Sequence, residues 1–342
     1  MACKLLITGV NGYLGLHMAI AGLRQGYAIR GTVRSAEKSD LCVKYLSSLL
    51  TPEQLIKFET VNADIANPLG WDQAVRGCDA VMHLASPVCP VQHRDRKLMI
   101  KQVRDGIKHI FEAALRQKVT RIIYTSSVAA SMFGQGGFKC NYNEEDWSNP
   151  EGKPHTDYTL SKTLAEIEAW DFVQQYPELQ LTTLLPGLIL GPINNKLSIS
   201  TELVLGLVNG AFSKGVINRD FPIIDVRDVV LAHFKSLQNH LSIGQRIMLA
   251  GDCLTMREMA KTLITVHSKF SARINTNEMP RWQLNLLRFF SKPLRQLAME
   301  ADVNRTFCKE KATKLLSIRP RDPRESVTAT AKDLIRLGLV ST

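Results

Sequence analysis

Three features of the sequence predict an α/β chain: a doubly wound parallel sheet with helices on both faces, plus a smaller, mainly helical lobe. Short β-rich runs alternate with helix-length stretches through the first half. Those runs are apolar at nearly every position, as in strands covered on both faces. After Pro186 the rhythm breaks, and Pro, Gly and Asn cluster over 186–195.

The expected strands are "KLLIT" (4–8), "AIRGTV" (28–33), "KFETVNAD" (57–64), "AVMHLAS" (80–86), "RIIYTSS" (121–127) and "LTTLLP" (181–186). Helices are expected over 13–25, 38–50, 68–76, 95–118 and 158–175. Such alternation winds right-handedly. Further on, a helix is expected over 200–210, and "FPIIDVRDVVLAHFKSL" (221–237) reads as a strand leading into a helix. A strand over 246–250, a helix from Thr255 and a proline-broken helical tail over 278–342 complete the chain.

At 342 residues the chain is one large domain or two fused ones. With 45% hydrophobic and 22% charged residues it can build a large core, and wholesale disorder is excluded. The first strand begins at Lys4, which leaves no room for a targeting peptide ahead of it. No apolar stretch is long enough to span a bilayer. The seven cysteines are scattered, odd in number and without a C-x-x-C pair. They read as reduced thiols with no metal site, and the expected address is cytoplasmic. Net charge is +11, and residues 269–342 hold 15 Lys and Arg against 7 Asp and Glu. That excess is spread over many turns without a nucleic-acid motif, so a solvated basic face is favoured over nucleic acid or membrane.

Chemistry first appears in "LLITGVNGYLG" (5–15), which runs from a strand through Gly9, Gly12 and Gly15 into a helix. Glycines there permit a tight turn, a close approach to phosphate and tight helix–strand packing. The helix N-terminus offers free N–H groups to a pyrophosphate. The pattern T-G-x-x-G-Y-L-G resembles the extended branch of the short-chain dehydrogenase/reductase superfamily. That branch includes dihydroflavonol reductases, carbonyl reductases, nucleotide-sugar epimerases and 3β-hydroxysteroid dehydrogenases.

The resemblance implies a Rossmann-type dinucleotide domain over 1–185 and 216–251, with a substrate-binding lobe over 186–215 and 252–342. Tyr13 and Leu14 would join the three glycines against the cofactor. The second strand ends "GTVRS", where an acidic residue would bind a free ribose hydroxyl. Arg34 stands there, with Lys38 one turn on. A guanidinium suits a 2′-phosphate, so NADP(H) is favoured over NAD(H). By the same resemblance, Asp64 and Ile65 of "NADIANP" flank the adenine, and Leu84, Ala85 and Ser86 of "HLASP" lie along the cofactor.

"IIYTSSVAA" (122–130) ends the fifth strand, and "YTLSK" (158–162) opens the next long helix. Residues four apart share a helix face, so Tyr158 and Lys162 can enter one cleft. A phenol of pKa ~10 is a poor proton shuttle at neutral pH. A nearby ammonium is expected to lower that pKa, and Lys162 can also hold the nicotinamide ribose. The resemblance makes Ser127 the catalytic serine, while Thr125 and Ser126 become cofactor-side or structural. His155 and Asp157 read as a solvated turn. Many members carry an asparagine three residues before a glycine in the preceding helix. Here Gly106 is present, but that position is Val103, so a proton relay would use water or other groups.

Dehydratases of this branch place an acidic pair after the catalytic strand. Val128, Ala129 and Ala130 offer none. "LLPGLILGP" (184–192) and "FPIIDVRDVVLAH" (221–233) resemble the dihydroflavonol-reductase-like carbonyl and aldehyde reductases, which maps Pro186, Gly187 and Ile189 to the nicotinamide. Asp225, Arg227 and Asp228 read as a structural network at the lobe junction. The substrate pocket is expected to draw on 88–94, 129–138, 192–226 and the helix at 279–300, with Trp282, Leu286, Phe289 and Phe290 as wall or core.

The activity expected is NADPH-dependent reduction of an apolar or aromatic aldehyde or ketone by a monomer or homodimer. The alternatives are a 3β-hydroxysteroid dehydrogenase, a nucleotide-sugar epimerase and a non-catalytic NADP(H)-binding regulator. A basic amphipathic helix at 281–297 could also lie on a membrane surface, although capping the substrate lobe is favoured.

Overall fold

The structure is a computed structural model and describes residues 3–86, 95–153, 155–290 (backbone only for 287–290), 298 and 300–340. The chain begins β1 (Lys4–Ile7), α1 (Tyr13–Arg24), β2 (Ala28–Val33), α2 (Ala36–Ser47), α3 (Pro52–Leu55) and β3 (Phe58–Asn62). It continues α4 (Trp71–Val75), β4 (Ala80–His83), α5 (Arg96–Arg116), β5 (Arg121–Thr125), α6 (Ala129–Met132), β6 (Asn141–Tyr142), α7 (Asp157–Gln175) and β7 (Gln180–Pro186). Then follow β8 (Leu188–Leu190), α8 (Ile199–Val208), β9 (Asp220–Asp225), α9 (Val226–Gln238), β10 (Gln245–Leu249) and β11 (Cys253–Thr255). The remaining elements are α10 (Met256–Val266), α11 (Arg281–Phe290), β12 (Thr306–Phe307), α12 (Glu310–Leu316) and α13 (Pro323–Arg336).

Seven parallel strands form the main sheet in the order β10-β7-β5-β4-β1-β2-β3. The doubly wound sheet expected from the apolar runs is therefore present. Leu5, Leu6 and Ile7 are each 0% exposed, which requires cover on both faces. On one face Met18, Leu23, Leu46 and Phe234 form the cover. On the other, Trp71, Phe111 and Phe172 do so, with the two phenylalanines edge to face at 5.6 Å. Fully burying side chains of this size contributes roughly 1.5–3 kcal/mol each.

α5 shows why the second face closes. Asp95 caps it by accepting from the Lys97 and Leu98 N–H groups. Its buried residues Met99, Val103, Ile107, Ile110, Phe111 and Ala114 recur every three to four positions. Val103 is thus a core residue at 1% exposure.

The strand expected within 221–237 is β9, which pairs with β8 (parallel) and β11 (antiparallel) in a separate three-stranded sheet. Its neighbours α9 and β10 do join the main sheet layer. A further pairing, β6 with β12, bridges distant parts of the chain. No helix among the described residues is long and apolar enough to cross a membrane.

Asp225 holds the junction. Its carboxylate accepts from the Arg227 backbone N–H at 2.9 Å, from Arg227 Nε and Nη2 at 2.8 Å each, and from the Ser326 hydroxyl of α13 at 2.8 Å. Asp228 pairs with Arg321. The structural role expected of this trio is what the geometry shows. Burial pushes the Asp225 pKa up, but the hydrogen bonds from Arg227 and Ser326 outweigh it, and the net shift is downward.

A depressed carboxylate contributes stability above its unfolded pKa of ~3.9 and loses it as pH falls through the lower folded value. Asp225→Asn should therefore cost roughly 1–3 kcal/mol at pH 7. Urea unfolding midpoints at pH 7 and pH 3 should show the gap from wild type narrowing in acid. An unchanged gap would count against this linkage.

Candidate active site

The sheet order reverses between β1 and β4, so the chain departs from their carboxyl ends in opposite directions and opens a crevice there. Thr8 holds its floor. Its hydroxyl accepts from the Leu84 and Ala85 N–H groups at 2.9 Å each, so its own proton goes to His83 Nδ1 at 2.9 Å. His83 is consequently a neutral Nε2–H tautomer. Burial first, and the Lys162 charge second, hold its pKa down to about 3.

Gly9 sits at φ +66°, and a Cβ there would come within 3.3 Å of the Ala85 Cβ. Its N–H donates to the Thr32 hydroxyl at 2.9 Å. A Cβ on Gly15 would lie 2.5 Å from the Gly9 carbonyl oxygen, a backbone atom that cannot step aside. Gly12 begins α1 without a side-chain cap, which leaves the first-turn N–H groups of Tyr13, Leu14 and Gly15 without an intrahelical partner. The Tyr13 side chain is buried edge to face against His17 at 5.3 Å, and its hydroxyl has no hydrogen-bond partner among the described residues.

Arg34 follows β2 and is exposed, and Lys38 lies in the first turn of α2, which Ser35 caps. Neither cation meets a carboxylate among the described residues. Asp64 follows β3, where one of its oxygens accepts from the Ala66 N–H at 3.1 Å. The Ile65 carbonyl binds His109 at 3.1 Å. Leu84, Ala85 and Ser86 are half-buried at the end of β4. The Gly187 N–H donates to Leu249 at 3.0 Å, which brings the 186–189 segment over the ends of β7 and β10, with Ile189 half-buried.

β5 and α7 bring the reacting groups together. Thr156 caps α7 through the Thr159 N–H at 3.1 Å. Leu160, Leu164, Ala169 and Phe172 then pack the helix on the sheet. This places Tyr158 near Ser127, and Lys162 donates to the Thr125 carbonyl at 3.4 Å. The Thr125 hydroxyl points elsewhere, to His233 Nε2 at 2.7 Å, and Ser126 donates to Glu166 at 2.5 Å. Among these three strand-end hydroxyls, only that of Ser127 faces Tyr158.

Around the Tyr158 hydroxyl, loss of solvent raises the pKa and Ser127 acts in the opposite direction, although the residue as a whole is 38% exposed. Lys162 itself falls to about 8, with burial the larger cause and Glu166 pulling it back up. His155 is half-buried rather than solvated, held by the Asn149 carbonyl at 2.8 Å and Thr159 at 3.1 Å.

Past Ser127 the chain enters an apolar core cluster, in which Val128, Ala129, Met132 and Phe133 pack with Tyr142, Met248 and Phe307, and Phe138 packs against them. The expected contribution of 88–94 falls outside the described residues. On α11, Leu284 is buried, whereas Trp282 is 70% and Leu286 54% exposed. Among the described residues neither of those two is a core side chain. The side chains of Phe289 and Phe290 lie outside the described part.

A family model described as "NAD dependent epimerase/dehydratase family" matches residues 5–251. The chain belongs to this family, the extended short-chain dehydrogenase/reductases. Vestitone reductase from Medicago sativa is 31% identical over 273 residues, covering 78% of this chain and 82% of that protein. Anthocyanidin reductase from Vitis vinifera is 28% identical over 289 residues, covering 80% and 84%. The yeast methylglyoxal/isovaleraldehyde reductase, solved with NADPH, superposes with a TM-score of 0.81 at 24% identity over 98% of this chain and 99% of that one. Membership bears out the superfamily expected from the sequence, and with it the oxidoreductase class.

Within this family frame, sequence reasoning missed Thr8, His83, Glu166, His233 and Arg246. Glu166 carried a readable signal, since it lies four residues after Lys162 and so on the same helix face. Arg246 carried none, because its partner Glu166 is 80 residues away.

A buried lysine with a lowered pKa binds fewer protons folded than unfolded between about 8 and the usual ~10.4. Stability therefore rises as pH climbs through that window, and below it the buried charge weighs against the fold. Lys162→Met should abolish activity yet melt above wild type at pH 7, with the difference fading near pH ~10. A variant no more stable than wild type at pH 7 would contradict the burial of a charged amine.

Proposed function

We propose that this chain is an NADPH-dependent carbonyl reductase that converts an apolar or aromatic aldehyde or ketone to its alcohol. The observation that carries the reading is the gathering of Ser127, Tyr158 and Lys162 around the end of β5, at the same carboxyl edge of the sheet as the glycine turn.

The residues present fit a dinucleotide. The turn packs so tightly that a Cβ at Gly9 would meet Ala85 and one at Gly15 the Gly9 and Val10 backbone, and the uncapped start of α1 would supply N–H groups to a pyrophosphate. Arg34 and Lys38 supply charge at the end of β2, where a 2′-phosphate would stand. A solved relative of this fold holds NADPH, which supports the same choice. Asp64 and Ile65 would flank the adenine, Leu84, Ala85 and Ser86 would lie along the cofactor, and Pro186, Gly187 and Ile189 would bracket the nicotinamide. For Thr125 and Ser126 only the backbone is left for such contacts, since both hydroxyls are committed to protein partners.

When bound, nicotinamide supplies the hydride. Tyr158 donates a proton to the carbonyl oxygen as negative charge develops there. Ser127 hydrogen-bonds that oxygen and steadies the charge. Lys162 holds the ribose hydroxyls, and its ammonium favours the phenolate left after proton transfer. The apolar cluster of Met132, Phe133 and Phe138 suits an apolar or aromatic group beside the carbonyl.

Purified protein with NADPH and a panel of aldehydes and ketones should consume nicotinamide absorbance, and Tyr158→Phe should lower kcat/KM by roughly 10²–10⁴-fold. A wild-type rate in that variant would refute the mechanism. Binding titrations should show NADPH held more tightly than NADH, and Arg34→Ser should collapse that preference. Equal affinities in the wild type would remove the assignment of Arg34.

A further inference from the structure

Glu166 lies one turn after Lys162 on α7 and is 0% exposed. Donors from three strands converge on its carboxylate. Ser126, past the end of β5, donates at 2.5 Å, Thr183 of β7 at 2.8 Å, and Arg246 of β10 through Nε at 2.9 Å. The Trp170 indole adds a longer contact at 3.4 Å. Arg246 is itself buried, with its guanidinium 3.7 Å above the Trp147 ring and Nη1 donating to the carbonyls of Glu144 and Asp146. The carboxylate thus receives a guanidinium and two hydroxyls.

The groups facing Lys162 from the packed elements are few. His83 of β4 is neutral, with Nδ1 accepting from Thr8. Tyr124 of β5 and Tyr158 of α7 are phenols whose ionisation burial opposes. Glu166 is the carboxylate acting on the lysine, and Arg246 lies behind it.

We infer that Glu166 is a positioning residue for the reaction: it is the countercharge that keeps the Lys162 ammonium charged, and the anchor that holds the Ser126–Ser127 strand end against the helix carrying Tyr158. Arg246 sets the strength of that countercharge, because it neutralises one side of the carboxylate. A carboxylate that merely glued α7 to the sheet would be indifferent to the charge state of Lys162, and so would its arginine partner. The inference rests on the role given to Lys162 above.

The test reads the titration of Lys162 in the protein without cofactor, by the NMR shift of its labelled Cε, assigned with Lys162→Met. Glu166→Gln should move the titration to lower pH by about 1 pH unit or more. Arg246→Gln should move it the opposite way, by leaving the carboxylate unshared. The alkaline limb of kcat/KM for NADPH-dependent reduction should move in the same two directions. If either single variant fails to fold, the charge-balanced Glu166→Gln/Arg246→Gln protein decides, with a titration still below wild type. Titrations that coincide in all folded variants would overturn the inference, whatever the loss of rate. If Tyr158→Phe and Lys162→Ala keep full activity, the functional reading fails instead, and the titrations still report on Glu166.

Discussion

Everything at this site follows from a sheet buried on both faces. Such a sheet leaves reactive polar groups only one exit, the carboxyl ends of its strands, and the reversal between β1 and β4 opens that edge. Gly9 follows β1, Arg34 follows β2, Asp64 follows β3, Ala85 follows β4, Ser127 follows β5 and Gly187 follows β7. Six segments spread along the chain therefore meet at one rim. Thr8 makes the meeting tight, because one hydroxyl fixes the backbone of Leu84 and Ala85 and the tautomer of His83.

Buried charge does the remaining work of registration. Breaking a buried pair by removing one partner typically costs about 3–5 kcal/mol, because the other charge is stranded. Glu166 with Arg246 locks the catalytic helix to β5, β7 and β10. A second cluster does the same in the smaller lobe. Arg305, 0% exposed in its side chain, binds Asp220 at the start of β9 and Glu300, which also takes Arg219 at 2.6 Å. Arg305 lies beside the Phe138 ring at 5.6 Å, so the cluster also fixes the apolar core past Ser127.

The fold was largely legible because its signals are local. Both-face apolar strands, a glycine turn after the first of them and helix-length spacers are visible one window at a time. The strands of the second lobe were not. β8 and β11 are three residues long and β6 and β12 two, too short for a period to show. The proposed trio of Ser127, Tyr158 and Lys162 is named from the one-turn spacing of Tyr158 and Lys162 and, for Ser127, from the family resemblance. The partners that tune them lie across the fold, as Arg246 does. For α11 an amphipathic sequence gives a stripe but not which neighbour meets it, and among the described side chains the helix buries Leu284 while Trp282 stays in solvent.

The account turns on hydride reaching a carbonyl carbon at this rim while the protein supplies the proton. The most direct measurement is isotope transfer. An aldehyde or ketone accepted by the protein is reduced with NADPH deuterated on the transferring face of C4, and the alcohol is analysed by mass spectrometry and NMR. One deuterium bound to the former carbonyl carbon is the predicted result, with Tyr158→Phe forming far less of the same labelled alcohol in the same time. Alcohol without deuterium at that carbon using either C4 isotopomer, or equal labelled product from wild type and Tyr158→Phe, would contradict it.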